Sequence, residues 1–261
     1  MPAILSNPRA DRVKAIRALG HARARTKYGQ FLVEGPQGVR EVVRYAPSQV
    51  RDLYLTCEAQ RAHPDIVDHA RQSSIHLHET EPDVLVAMSP DAQGMLAVVH
   101  SQAPPPPGPQ AKLLVCLARV QDPGNAGTVI RAADAAGADA VTFTTGSVDP
   151  HNPKVVRSTA GSLFHLPVQS GQELADVVGQ ARARGVQILA ADGAGTLTLE
   201  EAPLQQPTLW IFGNEAHGLS AQDRELADAV VRIPIHGKAE SLNLAMAATL
   251  CLYASAQAQR S

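Results

Sequence analysis

Residues 113–144 read LLVCLARVQDPGNAGTVIRAADAAGADAVTFT, and the succession of textures in this stretch decides the fold. Leu113 to Val120 is a short run rich in Leu and Val, too short for a core helix and of the composition a buried strand favours. The segment GlnAspProGlyAsnAlaGly, 121–127, breaks it, because proline and glycine end an extended run while Asp and Asn suit helix starts. Ala126 to Gly137 then carries an alanine-rich helical pattern closed by a glycine, and Ala140 to Thr144 is a second strand-like run. Strand, crossover helix and strand within about thirty residues form a βαβ unit, whose two strands run parallel.

The same alternation continues to the C-terminus. Gln187 to Ala191, Thr208 to Phe212 and Val230 to Ile235 read as further buried strands of a mostly parallel sheet, with helical patterns at Gln172 to Gly185 and Ser220 to Ala229. A last helix, Ser241 to about Gln259 with Ser241 as N-cap, is apolar nearly all round, so it needs cover on more than one face, from its own domain and from a second subunit. Upstream, AlaProProProProGlyPro, 103–109, can form neither helix nor central strand and reads as a linker. Before it, helix-like stretches (Asp11 to Leu19, Pro36 to Tyr45) alternate with strand-like ones (Val50 to Thr56, Ser74 to Leu77, Met95 to Val99). The expected organisation is α/β throughout: a smaller domain at 1–102, a proline-rich linker at 103–110 and a larger domain at 111–261.

The composition, 44% apolar and 18% charged over 261 residues, is that of a globular protein and excludes disordered, collagen-like and coiled-coil classes. No window approaches ~18 consecutive apolar residues and the N-terminus turns polar and basic within ten residues, so neither a membrane span nor a signal peptide is expected and the cytoplasm is the expected compartment. Cys57, Cys116 and Cys251 are odd in number and widely spaced, which reads as three reduced, buried thiols. His76 and His78 share a strand face without a third ligand, so no metal is expected. The net charge of −2 hides an asymmetry: residues 1–30 hold seven Lys and Arg against Asp11 alone. Arg9, Arg12, Arg17, Arg23, Arg25 and Lys27 are therefore candidates for meeting a polyanion.

In a parallel sheet the ligand site lies beyond the carboxyl ends of the strands. Three loops there are unusual: 121–127, GlyAsnGluAlaHisGlyLeuSer at 213–220, and IleProIleHisGlyLysAlaGluSerLeuAsn at 233–243. Capping accounts for part of them, Asn125 and Ser241 as caps and Ser220 with Asp223 as a capping box. Arg131, Glu215 and Asn243 exceed what capping needs. No G-x-G-x-x-G, G-x-x-x-x-G-K-[ST], G-x-S-x-G or H-E-x-x-H sequence is present, so dinucleotide, triphosphate, acyl-hydrolase and zincin readings lack support.

The three loops, extended to 122–137, 211–220 and 233–248, resemble in order and spacing the three motifs of the SpoU (TrmH-like) branch of the SPOUT RNA methyltransferases, and the resemblance covers about residues 112–257. LysValValArgSerThrAlaGlySerLeuPhe, 154–164, resembles the stretch between the first two motifs, and PheLeuValGluGlyProGlnGlyValArgGlu, 31–41, is similar to the ribosomal-protein L30e-like RNA-binding domain that many members carry. The resemblance implies a trefoil knot in the C-terminal domain, an exception to ordinary threading, and a homodimer packed through it. It implies S-adenosylmethionine bound against Gly213, Ile233 and Leu242, with the strand end Ile188 to Asp192 as a wall, and methyl transfer to a ribose 2'-hydroxyl of RNA. Asn125, Arg131, Glu215, Ser241 and Asn243 fall on the polar family positions: the two asparagines position, Glu215 orients its loop or the arginine, and Ser241 bonds Arg131, which serves the opposite subunit's site. Ribosomal RNA is favoured over tRNA because a separate N-terminal domain suits recognition of folded RNA by shape. A tRNA enzyme, a base-methylating relative and a catalytically silent RNA-binding member are the alternatives.

Overall fold

A computed structural model describes residues 4–260. The chain forms two compact units: the first runs to Ala103 and includes His151–His165, and the second holds Pro104–Pro150 and Leu166 onward.

The first unit is built on four strands, β1 (Gln30–Glu34), β2 (Val50–Leu55), β3 (His76–Glu79) and β4 (Met95–His100), in spatial order β1-β4-β2-β3. β4 runs antiparallel to both β1 and β2, and β2 runs parallel to β3. Around them lie α1 (Asp11–Ala18), α2 (Ala22–Tyr28), α3 (Gly35–Tyr45), α4 (Cys57–Ala62), α5 (Pro64–Gln72) and α6 (Pro82–Met88). Val13, Ile16, Leu32, Tyr54, Leu85 and Leu96 pack into one core. Of the six cations singled out near the N-terminus, Arg9, Arg12, Arg17, Arg23 and Lys27 are exposed, but Arg25 is not available to a ligand. It is buried, and its Nη1 donates to the carbonyls of Leu19 (3.1 Å) and Gly20 (3.0 Å), tying the turn between α1 and α2. Burial satisfies this guanidinium because two otherwise orphaned helix-end carbonyls need donors.

Read from the sequence, 151–165 belong to the C-terminal domain; their packing partners lie instead in the first unit. Arg157, on α8 (Pro153–Ser158), pairs with the buried carboxylate of Glu34 at the end of β1, which also accepts from Ser89 Oγ, and its Nη2 reaches Asp91 at 3.1 Å. His165 Nε2 lies 3.2 Å from Glu41 Oε2, and the ring of Phe31 stacks on that of His151 at 4.2 Å between centroids. Gly161 has φ +102°, and a Cβ there would fall 2.2 Å from the Glu41 side chain. The two stretches 31–41 and 154–164, far apart in the chain, thus close on each other as one clasp.

The second unit is a seven-stranded, wholly parallel sheet. Its strands are β5 (Leu113–Leu117), β6 (Ala140–Thr144), β7 (Val168–Gln172), β8 (Gln187–Ala191), β9 (Leu197–Thr198), β10 (Thr208–Phe212) and β11 (Ala229–Arg232), in the order β7-β6-β5-β10-β8-β11-β9. Helices α7 (Pro123–Ala136), α9 (Leu174–Arg182), α10 (Ala221–Glu225) and α11 (Leu244–Ala258) complete it. β5 stops three residues before Val120 because Arg119 takes φ +56°, outside the extended region. α11 buries Ala245, Ala248, Cys251, Leu252, Ser255 and Ala256, and Trp210 Nε1 donates to Ser255 Oγ at 2.8 Å. Its opposite face leaves Met246, Leu250 and Tyr253 exposed at helical spacing. Among the described residues no helix is long and apolar enough to cross a membrane.

The thiols do not all follow expectation. Cys116 and Cys251 are buried, and burial pushes both up to about 12. Cys57 is exposed, because it is the first residue of α4 after the Thr56 N-cap, where a side chain faces solvent. A native thiol titration should therefore modify Cys57 alone, with the other two reacting only on unfolding; labelling of all three in the folded protein would contradict this burial.

Candidate functional site

Each of the three glycine-containing loops leaves the carboxyl end of a parallel strand, and the structure brings their polar side chains together. The loop after β5 enters α7 through Asp122, whose Oδ1 accepts from Asn125 N at 2.7 Å; Asp122, not Asn125, is the N-cap. The carboxylate of Glu215, from the loop after β10, accepts from the backbone N–H groups of Gln121 and Asp122, each at 3.1 Å. There it satisfies donors at the start of α7 and sits at the positive end of the helix dipole. Asn125 Nδ2 donates to Glu215 Oε1 at 3.3 Å, and Asn125 Oδ1 accepts from Asn243 Nδ2 at 2.9 Å. Asn243 in turn caps α11, its Oδ1 accepting from Ala245 N at 2.9 Å. The cap expected at Ser241 thus falls two residues later, and Ser241 stays exposed in the loop. The reason is that β11 ends at Arg232 and Pro234 has no N–H to continue a ladder, so the segment to Asn243 stays irregular until an asparagine can accept from the helix.

Together these loops enclose a cavity of about 770 Å³. Its walls are apolar at Phe212, Val231, Ile233, Leu242 and Leu244, and polar at Asp192, Asn214, Glu215, Ser241 and Asn243. A second depression of about 640 Å³ over Gly171–Ala183 draws on none of the three loops. Of the expected cofactor contacts, Gly213, Ile233 and Leu242 all line the larger cavity. Gly213 has a further role: a Cβ there would meet Gly218 C at 2.5 Å and Leu219 N at 2.7 Å, so only glycine lets the 213–218 loop close. That closure is held by Asn214 N to Gly218 O (3.1 Å) and Gly218 N to Asn214 O (2.8 Å).

Sequence reasoning passed over two fasteners of this site. Asn214 Nδ2 donates to Arg119 O at 2.9 Å and so joins the second loop to the first. Asp223, in the capping box with Ser220, also pairs with the Arg119 guanidinium. Burial alone would push the Asp223 carboxyl up, yet the Ser220 hydroxyl and N–H with Arg119 hold it below the usual carboxylate range. Because its folded value is lowered, this contribution to stability is full at neutral pH and fades as acid protonates the group. The capping box was legible; its arginine, distant in the chain, was not.

Arg131 stands apart. It lies on α7, is exposed, does not line the cavity, and makes no hydrogen bond or ion pair among the described residues, with Ser241 or any other group.

The donor set fits an adenosyl sulfonium ligand: flat apolar walls for a purine, backbone and amide groups at strand ends for its polar edge, and room for the whole molecule. Glu215→Ala would remove the acceptor that gathers the entrance of α7 and Asn125, and should weaken S-adenosylhomocysteine binding roughly tenfold. Since Glu215 is exposed, the melting temperature should barely move. Calorimetry with unchanged affinity would contradict the role given to this carboxylate.

Comparison with known proteins agrees with this geometry. Residues 112–253 match the model of the SpoU rRNA Methylase family, and residues 10–97 match an MRM3-like substrate binding domain. The 23S rRNA (guanosine(2553)-2'-O)-methyltransferase RlmP of Bacillus subtilis is 33% identical over 251 residues, which cover 95% of this chain and 97% of that one. Among solved structures, the SpoU methyltransferase AviRb from Streptomyces viridochromogenes in complex with the cofactor AdoMet superposes with TM-score 0.84 at 33% identity, covering 96% of this chain and 99% of that one. The AdoMet-bound rRNA methyltransferase from Sinorhizobium meliloti gives TM-score 0.84 at 28% identity, covering 97% of both chains. Fold and site together define an RNA methyltransferase of the SPOUT class. Within that class, the chain belongs to the SpoU rRNA methylase family.

Proposed function

We propose that this protein transfers a methyl group from S-adenosylmethionine to a ribose 2'-hydroxyl of ribosomal RNA. The observation that carries the reading is the single hydrogen-bonded chain Asn243–Asn125–Glu215, which joins the three motif loops at the edge of one apolar-walled cavity. The cofactor, when bound, supplies an electrophilic methyl on a sulfonium. Everything else falls to the protein: Gly213, Ile233 and Leu242 pack the cofactor, Asn125 and Asn243 position the reacting groups, and Glu215 orients the loop that carries Gly213.

Arg131 is the proposed catalytic residue. A guanidinium is a poor base, so it clamps the phosphate next to the target ribose and stabilises charge developing on the 2'-oxygen. Its absence from its own chain's cavity lining supports service to a second copy, where it would meet Ser241 of the partner. The exposed stripe Met246, Leu250 and Tyr253 supports a homodimer through α11. A trefoil knot in the C-terminal domain is part of the proposal, supported by the family fold and by a sheet order in which β10 lies between β5 and β8.

The RNA is proposed to reach the first unit through Arg9, Arg12, Arg17, Arg23 and Lys27, where Lys27 Nζ lies 4.9 Å from the ring of the exposed Tyr28. A ribosomal RNA substrate is consistent with the cytoplasm as the proposed compartment. Labelled methyl transfer to ribosomal RNA and to tRNA, assayed in parallel with mapping of the modified position, tests the substrate. Incorporation into ribosomal RNA at one site is expected; incorporation into tRNA alone would overturn it.

A further inference from the structure

Asp192 follows the last residue of β8, and its carboxylate lines the same cavity. Its Oδ1 accepts from Ala194 N at 2.9 Å, which fixes the rotamer in a tight turn. The other oxygen, Oδ2, has one long partner, Arg224 Nη1 at 3.4 Å, and that nitrogen is shared with the Leu219 carbonyl at 3.1 Å. Asp192 Oδ2 therefore keeps most of its accepting capacity for something else. The side chain is 13% exposed, and Gly218 borders its open side: with φ +63°, a Cβ there would come to 3.4 Å from Oδ2.

Three chemically distinct parts of an adenosyl sulfonium ligand compete for this carboxylate. The purine suits the apolar wall of Phe212, Ile233 and Leu242. The amino-acid tail is zwitterionic, and its ammonium could pair with Asp192 only by bringing the adjacent carboxylate, of like charge, toward the same group. The vicinal ribose hydroxyls are two neutral donors spaced for one carboxylate, the chemistry by which an acidic residue past a strand end grips a nucleoside ribose in other open α/β sheets. We propose that Asp192, steadied by Arg224, is the ribose-recognising residue of the cofactor site. This rests on the methyltransferase reading above.

The test is equilibrium calorimetry of the intact protein with S-adenosylhomocysteine and with its 2'-deoxy and 3'-deoxyadenosyl analogues. The wild type should bind the parent ligand roughly tenfold or more tightly than either analogue. Asp192→Ala should lose roughly that factor for the parent ligand and bind all three about equally. Asp192→Asn, which retains the acceptor for Ala194 N, should fall between while keeping the wild-type melting temperature. A variant that still discriminates the hydroxyls as the wild type does would overturn the assignment of Asp192 alone. Failure of the wild type to bind S-adenosylhomocysteine would overturn the cofactor reading and this inference with it.

Discussion

Arg131→Ala should lower methyl transfer by about 10²–10³-fold while leaving S-adenosylhomocysteine affinity within about twofold of wild type. The split follows from where the residue sits. Arg131 is exposed on α7 and absent from the cavity wall of its own chain, so its loss removes nothing the cofactor touches there. If it acts on the 2'-oxygen of a reaction at the second subunit's cavity, the loss falls on the chemical step. Mixed dimers sharpen the prediction. Arg131→Ala subunits combined with subunits whose cavity is closed by Gly213→Val should regain activity, because each mixed dimer holds one intact cavity facing one intact arginine. Each variant alone should be inactive. Full activity of Arg131→Ala would remove Arg131 from the mechanism, and mixed dimers no more active than their parents would overturn its service to the second subunit's cavity.

The second large effect is on stability. Arg157→Ala leaves Glu34, whose side chain is only 3% exposed, with Ser89 as its remaining polar partner. Stranding a buried carboxylate costs about 3–5 kcal/mol, and the figure here should lie toward 2–3 because Arg157 itself is about a third exposed and partly screened. Chemical denaturation checks it, and Glu34→Gln with Arg157→Met should recover much of the loss in a double-mutant cycle. The same clasp predicts that a fragment ending at Ala103 is markedly less stable than the first unit within the whole chain. A loss below about 0.5 kcal/mol for Arg157→Ala would mean the pair is an ordinary surface contact.

The parts of this protein that were legible in its sequence are those decided by local chemistry. Strands at Ala140–Thr144, Gln187–Ala191 and Thr208–Phe212 stand where their apolar runs begin and end, since a strand buried on both faces has no other composition open to it. The three loops were legible because glycine and asparagine at strand ends are rarely idle. What escaped depended on residues far apart in the chain. Nothing within residues 22–28 tells buried Arg25 from exposed Arg23, because the difference lies in which carbonyls the turn at Leu19 and Gly20 offers. Residues 151–165 sit between two parts of the larger unit in sequence, and it takes the Glu34 and Glu41 carboxylates and the Phe31 ring to show where they dock. The two-residue β9 carries too short a pattern to be read at all. Asp192 is indistinct in the sequence because a single acid at a strand end has no signature until its neighbours Arg224 and Gly218 are in place.

The most direct measurement is alkaline hydrolysis of ribosomal RNA methylated by this protein. Cleavage at a given step needs a free 2'-hydroxyl, so methylation of the ribose should leave one alkali-resistant dinucleotide that contains the transferred methyl group. Complete hydrolysis, with the label recovered on a single nucleotide's base, would contradict the account.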